Sequence, residues 1–346
     1  MSDAAKPTVK INRLGLQRDE YVGSKSTLCV GCGHDSVTNH LISALYQSSV
    51  DPYSIAKMSG IGCSSKTPAY FLSKSHGFNS IHGRMAPMAT GARIANRNLK
   101  IIGISGDGDT ASIGLGSFIH LLRRNTPMLY IVENNGVYGL TKGQFSATAD
   151  RETYHKSGDK NPHGPIDICS LALDVGCDFV ARSFSGDAKQ LTALISAGLR
   201  HPGTALIDVV SPCVTFANHD GSTKSFASVK AKNIQLQEMG FIQPQDEINV
   251  DYPEGERVEV KLHDGSVLWL SKVDSRAHNP HDRLSAMNLI KDSNLRGEIL
   301  TGLFFIDGQT APLEQTLGLG STPLVNLGEA DRPSAEKLED ALRAFV

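Results

Sequence analysis

The chain has 346 residues, 40% of them hydrophobic and 20% charged, with a formal net charge of −2 at neutral pH. This composition fits a globular protein with a sizeable core and excludes both a disordered chain and a broad nucleic-acid surface, so no nucleic-acid partner is expected. The opening MSDAAKPTVK is polar and does not read as a secretion signal, and no apolar run reaches the roughly 18 residues of a spanning helix, so a soluble, cytoplasmic protein with no membrane partner is the expectation.

Residues 12–34 read as an extended lead-in that closes on the turn CVGCGH. Val37, Leu41 and Leu45 then recur at helical spacing behind a capping residue, Asp35, and predict a helix to Tyr46. A strand is expected at 54–58, followed by the loop GIGCSSKTP. Helical spacing over 86–96 leads into the apolar run KIIGIS at 100–105, and helical spacing over 112–123 leads into PMLYIVE at 127–133. Helices near 166–175 and 188–199 precede the runs DFVAR and TALIDVV. Continuous apolar strands alternating with helices predict an α/β fold whose parallel sheet is covered on both faces. The pattern changes after about residue 240, dividing a domain of residues 1–240 from a smaller C-terminal region of 241–346. There RVEVKLHDGSVLWLSKV predicts a hairpin turning at Asp264-Gly265, then a helix at 282–291, the strand ILTGLFFI and a last helix at 334–345.

The sharpest chemical signal is Gly106-Asp107-Gly108 followed, after 25 intervening residues, by Asn134-Asn135. Each alone is an ordinary turn sequence. Together they sit at the carboxyl ends of neighbouring predicted strands, where open α/β sheets bind ligands. A protein-bound diphosphate brings Mg²⁺, which takes oxygen ligands in octahedral geometry. Asp107 offers a carboxylate, Asn135 an amide oxygen and Val137 a main-chain carbonyl, while a helix starting near Thr110 would aim its amides at phosphate. This pattern points to thiamine diphosphate held through Mg²⁺.

The cysteines form a second pattern. Cys29 and Cys32 flank two residues, Cys63 lies in the loop after a predicted strand, and Cys213 follows another. Reducing cytosol disfavours structural disulfides, so four cysteines on loops at one sheet edge suit a thiolate site for zinc or an iron–sulfur cluster. Spacing alone leaves that choice open. Cys169 and Cys177 fall in apolar settings and read as small buried hydrophobes.

Three segments in order, CVGCGH, then GIGCSSKTP with IHGRMAP, then GDG with ENNGVYGLTKGQ and SPCVTF, resemble the β subunits of 2-oxoacid:ferredoxin oxidoreductases. The resemblance runs from about residue 25 to 220, and the length and VYGLTKGQ are nearer the 2-oxoglutarate branch than the pyruvate one. It implies the three-layer sheet of the thiamine diphosphate-binding fold. It also implies one 4Fe–4S cluster on Cys29, Cys32, Cys63 and Cys213, Mg²⁺ on Asp107, Asn135 and Val137, and a cofactor lined by Ile61, Gly62, Cys63, Ser64, His82, Gly106, Asp107, Gly108, Asp109, Asn135, Leu140 and Thr141. No C-x-x-C-x-x-C-x-x-x-C run is present, which implies the single-cluster form. The second cofactor-binding half is also missing from the sequence; the family places it on an α subunit, implying an (αβ)₂ enzyme. Its implied reaction is coenzyme A-dependent oxidative decarboxylation of a 2-oxoacid, with electrons passing singly to ferredoxin.

Four basic side chains flank these motifs. His82 is a candidate hydrogen-bond donor or proton relay, and Arg84 is a cation beside it. Lys66 is expected near the substrate carboxylate and Lys142 near coenzyme A, both ligands being anionic. Other readings leave one pattern unused. A non-redox thiamine-dependent decarboxylase or acetohydroxyacid synthase leaves the four cysteines idle, and a zinc or iron–sulfur binding module leaves the magnesium motif idle. Pyruvate or a branched-chain 2-oxoacid remains an alternative substrate.

Overall fold

The computed structural model describes residues 10–151, 153, 159–214, 245–263, 265–328 and 333–345. The apolar runs become strands: β1 (Ile55–Ser59), β2 (His76–Asn79), β3 (Lys100–Gly106), β4 (Met128–Asn134), the short pair β5 (Val137–Tyr138) and β6 (Gln144–Phe145), β7 (Phe179–Phe184), β8 (Thr204–Val210), β9 (Arg257–Lys261), β10 (Val267–Lys272) and β11 (Ile299–Ile306). Helices α1 (Gly33–Gln47), α2 (Met85–Ala95), α3 (Leu115–Arg123), α4 (Ile168–Asp174), α5 (Ala188–Gly198) and α6 (Arg283–Leu295) intervene.

Alternation along the strands explains the layers. Ile102, Ile104, Leu129, Ile131 and Ile207 point into one core with Val37, Leu41 and Leu45 of α1 and Leu191 and Ile195 of α5. Their neighbours Ile101, Met128, Tyr130, Val132 and Leu206 enter the opposite core with Met85 and Ala89 of α2, Phe118 and Leu122 of α3, and Leu173 of α4. Side chains of period two on a sheet buried on both faces give this result, and the predicted continuous apolar runs are its sequence trace.

Among the described residues the main sheet runs β2-β1-β3-β4-β8-β7-β11-β10-β9. The strands from β2 to β7 in that order are parallel. β11 pairs antiparallel with β7, β10 parallel with β11, and β9 antiparallel with β10. The fold is therefore α/β with a mixed, mostly parallel sheet. The strands after residue 240 are hydrogen-bonded onto the main sheet and extend it. The division at 240/241 lies outside the described residues, as do Asp264 of the expected hairpin turn and Thr215-Phe216 of SPCVTF. Beyond β11 the chain runs back to the first half: Leu313 N donates to Asn125 O at 3.2 Å, and Arg93 Nη2 meets Glu314 Oε1 at 2.6 Å.

Two features depart from the sequence pattern. β2, sequence HGFN, is an exposed edge strand with no apolar period to mark it. The helix expected over 112–123 is split into a π turn, Asp109–Ile113, and then α3, with Gly114 N bonded to Asp109 O at 2.9 Å. Such wide turns interrupt regular helices where side chains are committed elsewhere. Asp109 is so committed.

Candidate active site

Since β2, β1, β3, β4 and β8 are consecutive and parallel, their carboxyl ends share one edge, and the chemically marked loops all leave from it. His82 follows β2, Ile61–Ser64 follow β1, Asp107 follows β3, Asn135 follows β4 and Cys213 follows β8. One cleft on this edge is bordered by Ile61, Gly62, Cys63, Ser64, His82, Gly106, Asp107, Gly108, Asp109, Asn135, Val137, Leu140 and Thr141. Thus every residue expected around the cofactor borders the same space. His34, Glu133, Tyr138 and Gly139 complete its wall.

Asp109 organises the rim. Its Oδ1 accepts from Gly83 N at 2.7 Å, from Ile61 N at 3.3 Å and from His82 Nδ1, while Oδ2 accepts from Ser105 Oγ at 2.7 Å. One buried carboxylate therefore pins the loops after β1 and β2 and fixes the His82 ring through Nδ1, leaving Nε2 as the free ring nitrogen. Gly60 is required here, because a Cβ at that position would stand 1.8 Å from Asp109 Oδ2.

Asp107 is 1% exposed. It accepts from Thr148 Oγ1 at 2.5 Å, from Ser146 Oγ and, at 3.4 Å, from Asn135 N. Burial pushes its carboxyl above the usual range, partly offset by those hydroxyls. Asn135 Oδ1 accepts from Val137 N at 3.1 Å, closing a turn over residues 135–137.

The thiols lie beside this cleft. Cys32 N donates to Cys29 O at 3.0 Å, closing the C-x-x-C turn, and Gly33 N donates to Pro212 O at 3.3 Å, which seats that turn on the loop carrying Cys213. Burial pushes the Cys63 thiol up to about 11, with Cys213 and Cys29 adding to the rise and Lys66 opposing it. Burial likewise raises Cys32, with Cys213 contributing. Cys213 thus acts on both Cys32 and Cys63, and Cys29 acts on Cys63. Among the described residues, no three His, Cys, Asp or Glu side chains are gathered at the spacing that holds a single metal ion. Cys169 and Cys177 are buried away from the loops, their sulfurs near Ala181 O and Phe179 O.

Three of the expected basic residues lie outside the cleft lining. Lys66 is half-buried beside Cys63. Arg84 is exposed, its Nη1 donating to Gly83 O at 3.0 Å and Ile113 O at 3.3 Å. Lys142 is exposed, in a left-handed turn with φ of 80°. The sequence reading missed Glu133, His34, Ser146 and Thr148. Glu133 did leave a signal, an acid inside the apolar run PMLYIVE next to Asn134-Asn135.

Residues 60–209 match the model of the thiamine pyrophosphate enzyme C-terminal TPP-binding domain. Fold, cleft and match together define a thiamine pyrophosphate-binding protein. Subunit β of the 2-oxoacid:ferredoxin oxidoreductase of Saccharolobus solfataricus is 40% identical over 199 residues, 57% of this chain and 65% of that one. The 2-oxoglutarate synthase subunit KorB of Methanocaldococcus jannaschii is 38% identical over 192 residues, 54% of this chain and 69% of that one. A solved structure, 2-oxoglutarate:ferredoxin oxidoreductase from Magnetococcus marinus with 2-oxoglutarate, coenzyme A and succinyl-CoA bound, superposes with a TM-score of 0.72 at 26% identity, covering 98% of this chain and 99% of that chain. This chain belongs to the β-subunit family of the 2-oxoacid:ferredoxin oxidoreductases. It spans 65% of the Saccharolobus subunit and 51% of the 2-oxoglutarate oxidoreductase subunit KorB of Mycobacterium tuberculosis, less than two thirds of either length.

Proposed function

We propose that this chain is the cofactor- and cluster-binding β subunit of an enzyme that oxidatively decarboxylates a 2-oxoacid. The favoured substrate is 2-oxoglutarate, converted with coenzyme A to succinyl-CoA and carbon dioxide, with electrons passed one at a time to ferredoxin. The reaction can also run in reverse as carbon dioxide fixation. One observation carries the reading: a single cleft at the carboxyl ends of adjacent parallel strands is bordered both by hard oxygen donors, Asp107 and Asn135, and by Cys63.

The donor sets fit the implied groups. Asp107, Asn135 and the Val137 carbonyl are the oxygens that would hold Mg²⁺ on a diphosphate. Cys29, Cys32, Cys63 and Cys213 are the soft thiolates that would hold a 4Fe–4S cluster. A cluster would take one thiolate per iron, so these cysteines need not be gathered at the spacing of a single-ion site. When bound, thiamine diphosphate supplies the electron sink for decarboxylation and the cluster a one-electron route outward.

The chain's residues orient and exchange protons. Asp109 holds His82 through Nδ1, so Nε2 is the atom that would give or take a proton at the cleft. Lys66, beside Cys63, would attract the substrate carboxylate; Arg84, on the His82 loop, is a second cation, and Lys142 would meet coenzyme A. The cleft measures about 70 Å³, far below the roughly 300 Å³ at which small-molecule pockets begin. An α subunit closing the other side would complete it, in a cytoplasmic (αβ)₂ assembly. Among the described residues no helix is long and apolar enough to cross a membrane.

The test is co-expression with the α subunit and assay of coenzyme A-dependent reduction of a one-electron dye, comparing 2-oxoglutarate with pyruvate and branched-chain 2-oxoacids. A brown protein that reduces the dye fastest with 2-oxoglutarate is expected. Colourless protein that releases carbon dioxide without reducing the dye would instead indicate a non-redox decarboxylase.

A further inference from the structure

Four polar side chains lie buried where the cysteine-bearing segments meet the cleft. His34 is the second residue of α1, two after Cys32; Thr67 follows Cys63 in the β1 loop; Ser211 precedes Cys213; Glu133 lies in β4 next to Asn134-Asn135. His34 is 1% exposed, and Thr67, Ser211 and Glu133 are fully buried. Thr67 Oγ1 donates to Glu133 Oε1 at 3.0 Å and lies 3.1 Å from Oε2. His34 Nδ1 lies 2.7 Å from Ser211 Oγ and 3.7 Å from Glu133 Oε2. The main chain reinforces the junction: Ser211 N donates to Asn134 O at 2.7 Å, and a Cβ on Gly33 would come within 2.6 Å of Ser211 Oγ. Each side chain therefore comes from a different segment, and every segment carries either a candidate cluster ligand or the cofactor loop.

A fold seeking stability alone would fill this junction with hydrocarbon, because burying a carboxyl, an imidazole and two hydroxyls carries a desolvation cost that apolar residues avoid. The reward for retaining them is directional: a connected polar network fixes its members more tightly than packing does. Groups behind metal ligands set ligand geometry in this way.

We propose that His34, Glu133, Thr67 and Ser211 form a positioning hub that sets the placement of the cysteine segments relative to the Asn135 loop, and hence the gap and electronic coupling between cluster and cofactor. The inference rests on the reading that Cys29, Cys32, Cys63 and Cys213 hold a cluster. None of the four hub residues is asked to be a ligand. They act through the segments they join.

The experiment compares the full-length chain with Ser211→Ala, His34→Gln, Thr67→Val and Thr67→Ser, each co-purified with its α subunit. Iron and thiamine diphosphate per chain, the electron paramagnetic resonance spectrum of the reduced protein, the cluster midpoint potential, and kcat and KM for the oxoacid are measured. Ser211→Ala, His34→Gln and Thr67→Val should keep iron and cofactor but shift the spectrum and potential, with kcat lowered roughly tenfold at unchanged KM. Thr67→Ser, which keeps the hydroxyl, should restore wild-type values. Variants that melt earlier while their spectra and potentials superpose on wild type would overturn the hub and leave a purely structural role. A wild-type chain with no iron–sulfur signal would overturn the function reading itself, and the hub with it. If His34→Gln fails to fold, Ser211→Ala decides the matter, since it removes a single oxygen.

Discussion

Two neighbouring parts of the main sheet, the cleft end of β3 and β4 and the β8–β7 seam, treat buried acids in opposite ways. At the cleft, Asp107 and Glu133 are held by hydroxyls and main-chain amides, and the described residues give neither of them a lysine or arginine partner. Where the tail strands join the parallel block, arginine does that work. Arg182 of β7 meets Asp208 at 2.8 Å, both buried, and the partly exposed Asp167 at 2.9 Å, and Arg93 meets Glu314 at 2.6 Å farther along the tail. Negative charge that the fold neutralises is structural. Negative charge left uncompensated awaits a cation or a proton, and groups of this kind collect at functional sites. Asn134 lies between the regimes, donating to Asp208 at 3.0 Å and placing its Oδ1 3.0 Å from Thr148 Oγ1, which donates to Asp107.

This contrast predicts different losses from removing one partner in each region. Asp107→Ala should lower kcat/KM at least a hundredfold, more than the roughly 10–100-fold typical of groups behind a metal ligand, while the metal-free protein melts no earlier than wild type. Steady-state assay and thermal melting read the two halves. Clear destabilisation without loss of activity would place Asp107 on the structural side. Arg182→Met should do the reverse. It strands Asp208 as a buried carboxylate, takes the partner from the partly exposed Asp167, and should cost about 3–5 kcal/mol in a denaturant titration. A smaller cost would mean that the seam tolerates unpaired charge as the cleft does.

The pH dependence should also split by sign. Burial raises Asp107 above the ordinary carboxylate value of 3.8, so the metal-free folded state binds more protons than the unfolded chain, and this residue's contribution to stability falls as pH rises above that value. Asp167 is pushed up by burial but pulled below 3.8 by Arg182, so its contribution is present above pH 3.8 and is lost as the pH falls below it. Between about pH 2 and 6, chelator-treated Asp107→Asn should therefore gain stability relative to wild type as the pH rises above 4, and Asp167→Asn should lose it as the pH rises from 2 toward 4. Denaturant midpoints across that range provide the comparison, and slopes of the same sign in both variants would remove the distinction.

What was legible in the sequence follows the same line. The parallel block could be read because burial on both faces forces long apolar runs, and the loops after them carried residues with few other uses, such as Asp107 between two glycines. Glu133 left only one mark, an acid closing an apolar strand, and His34 escaped because it resembles its setting, a histidine closing a cysteine turn. Ser146 and Thr148 reach Asp107 from around the short strand β6, across a stretch with no period to mark it. The joining of β11 to β7 was also hidden. Pairing between strands more than a hundred residues apart leaves no local pattern, and a tail strand reads the same whether it starts a new sheet or extends an old one.

The smallest effect concerns Lys66, which stands between the regimes as a half-buried cation beside a thiol site. If its charge serves the oxoacid carboxylate, Lys66→Ala should raise KM for the oxoacid about fivefold, the equivalent of about 1 kcal/mol for a partly screened ion pair, with kcat and cluster potential unchanged. Its electrostatic effect on Cys63 supports a different expectation. A cation near a cluster ligand favours the added electron, so losing it would lower the potential and leave KM alone. Lys66→Met keeps the stem and removes the charge, which separates packing from electrostatics. A potential shift at constant KM would assign Lys66 to the cluster, and a KM shift at constant potential to the substrate.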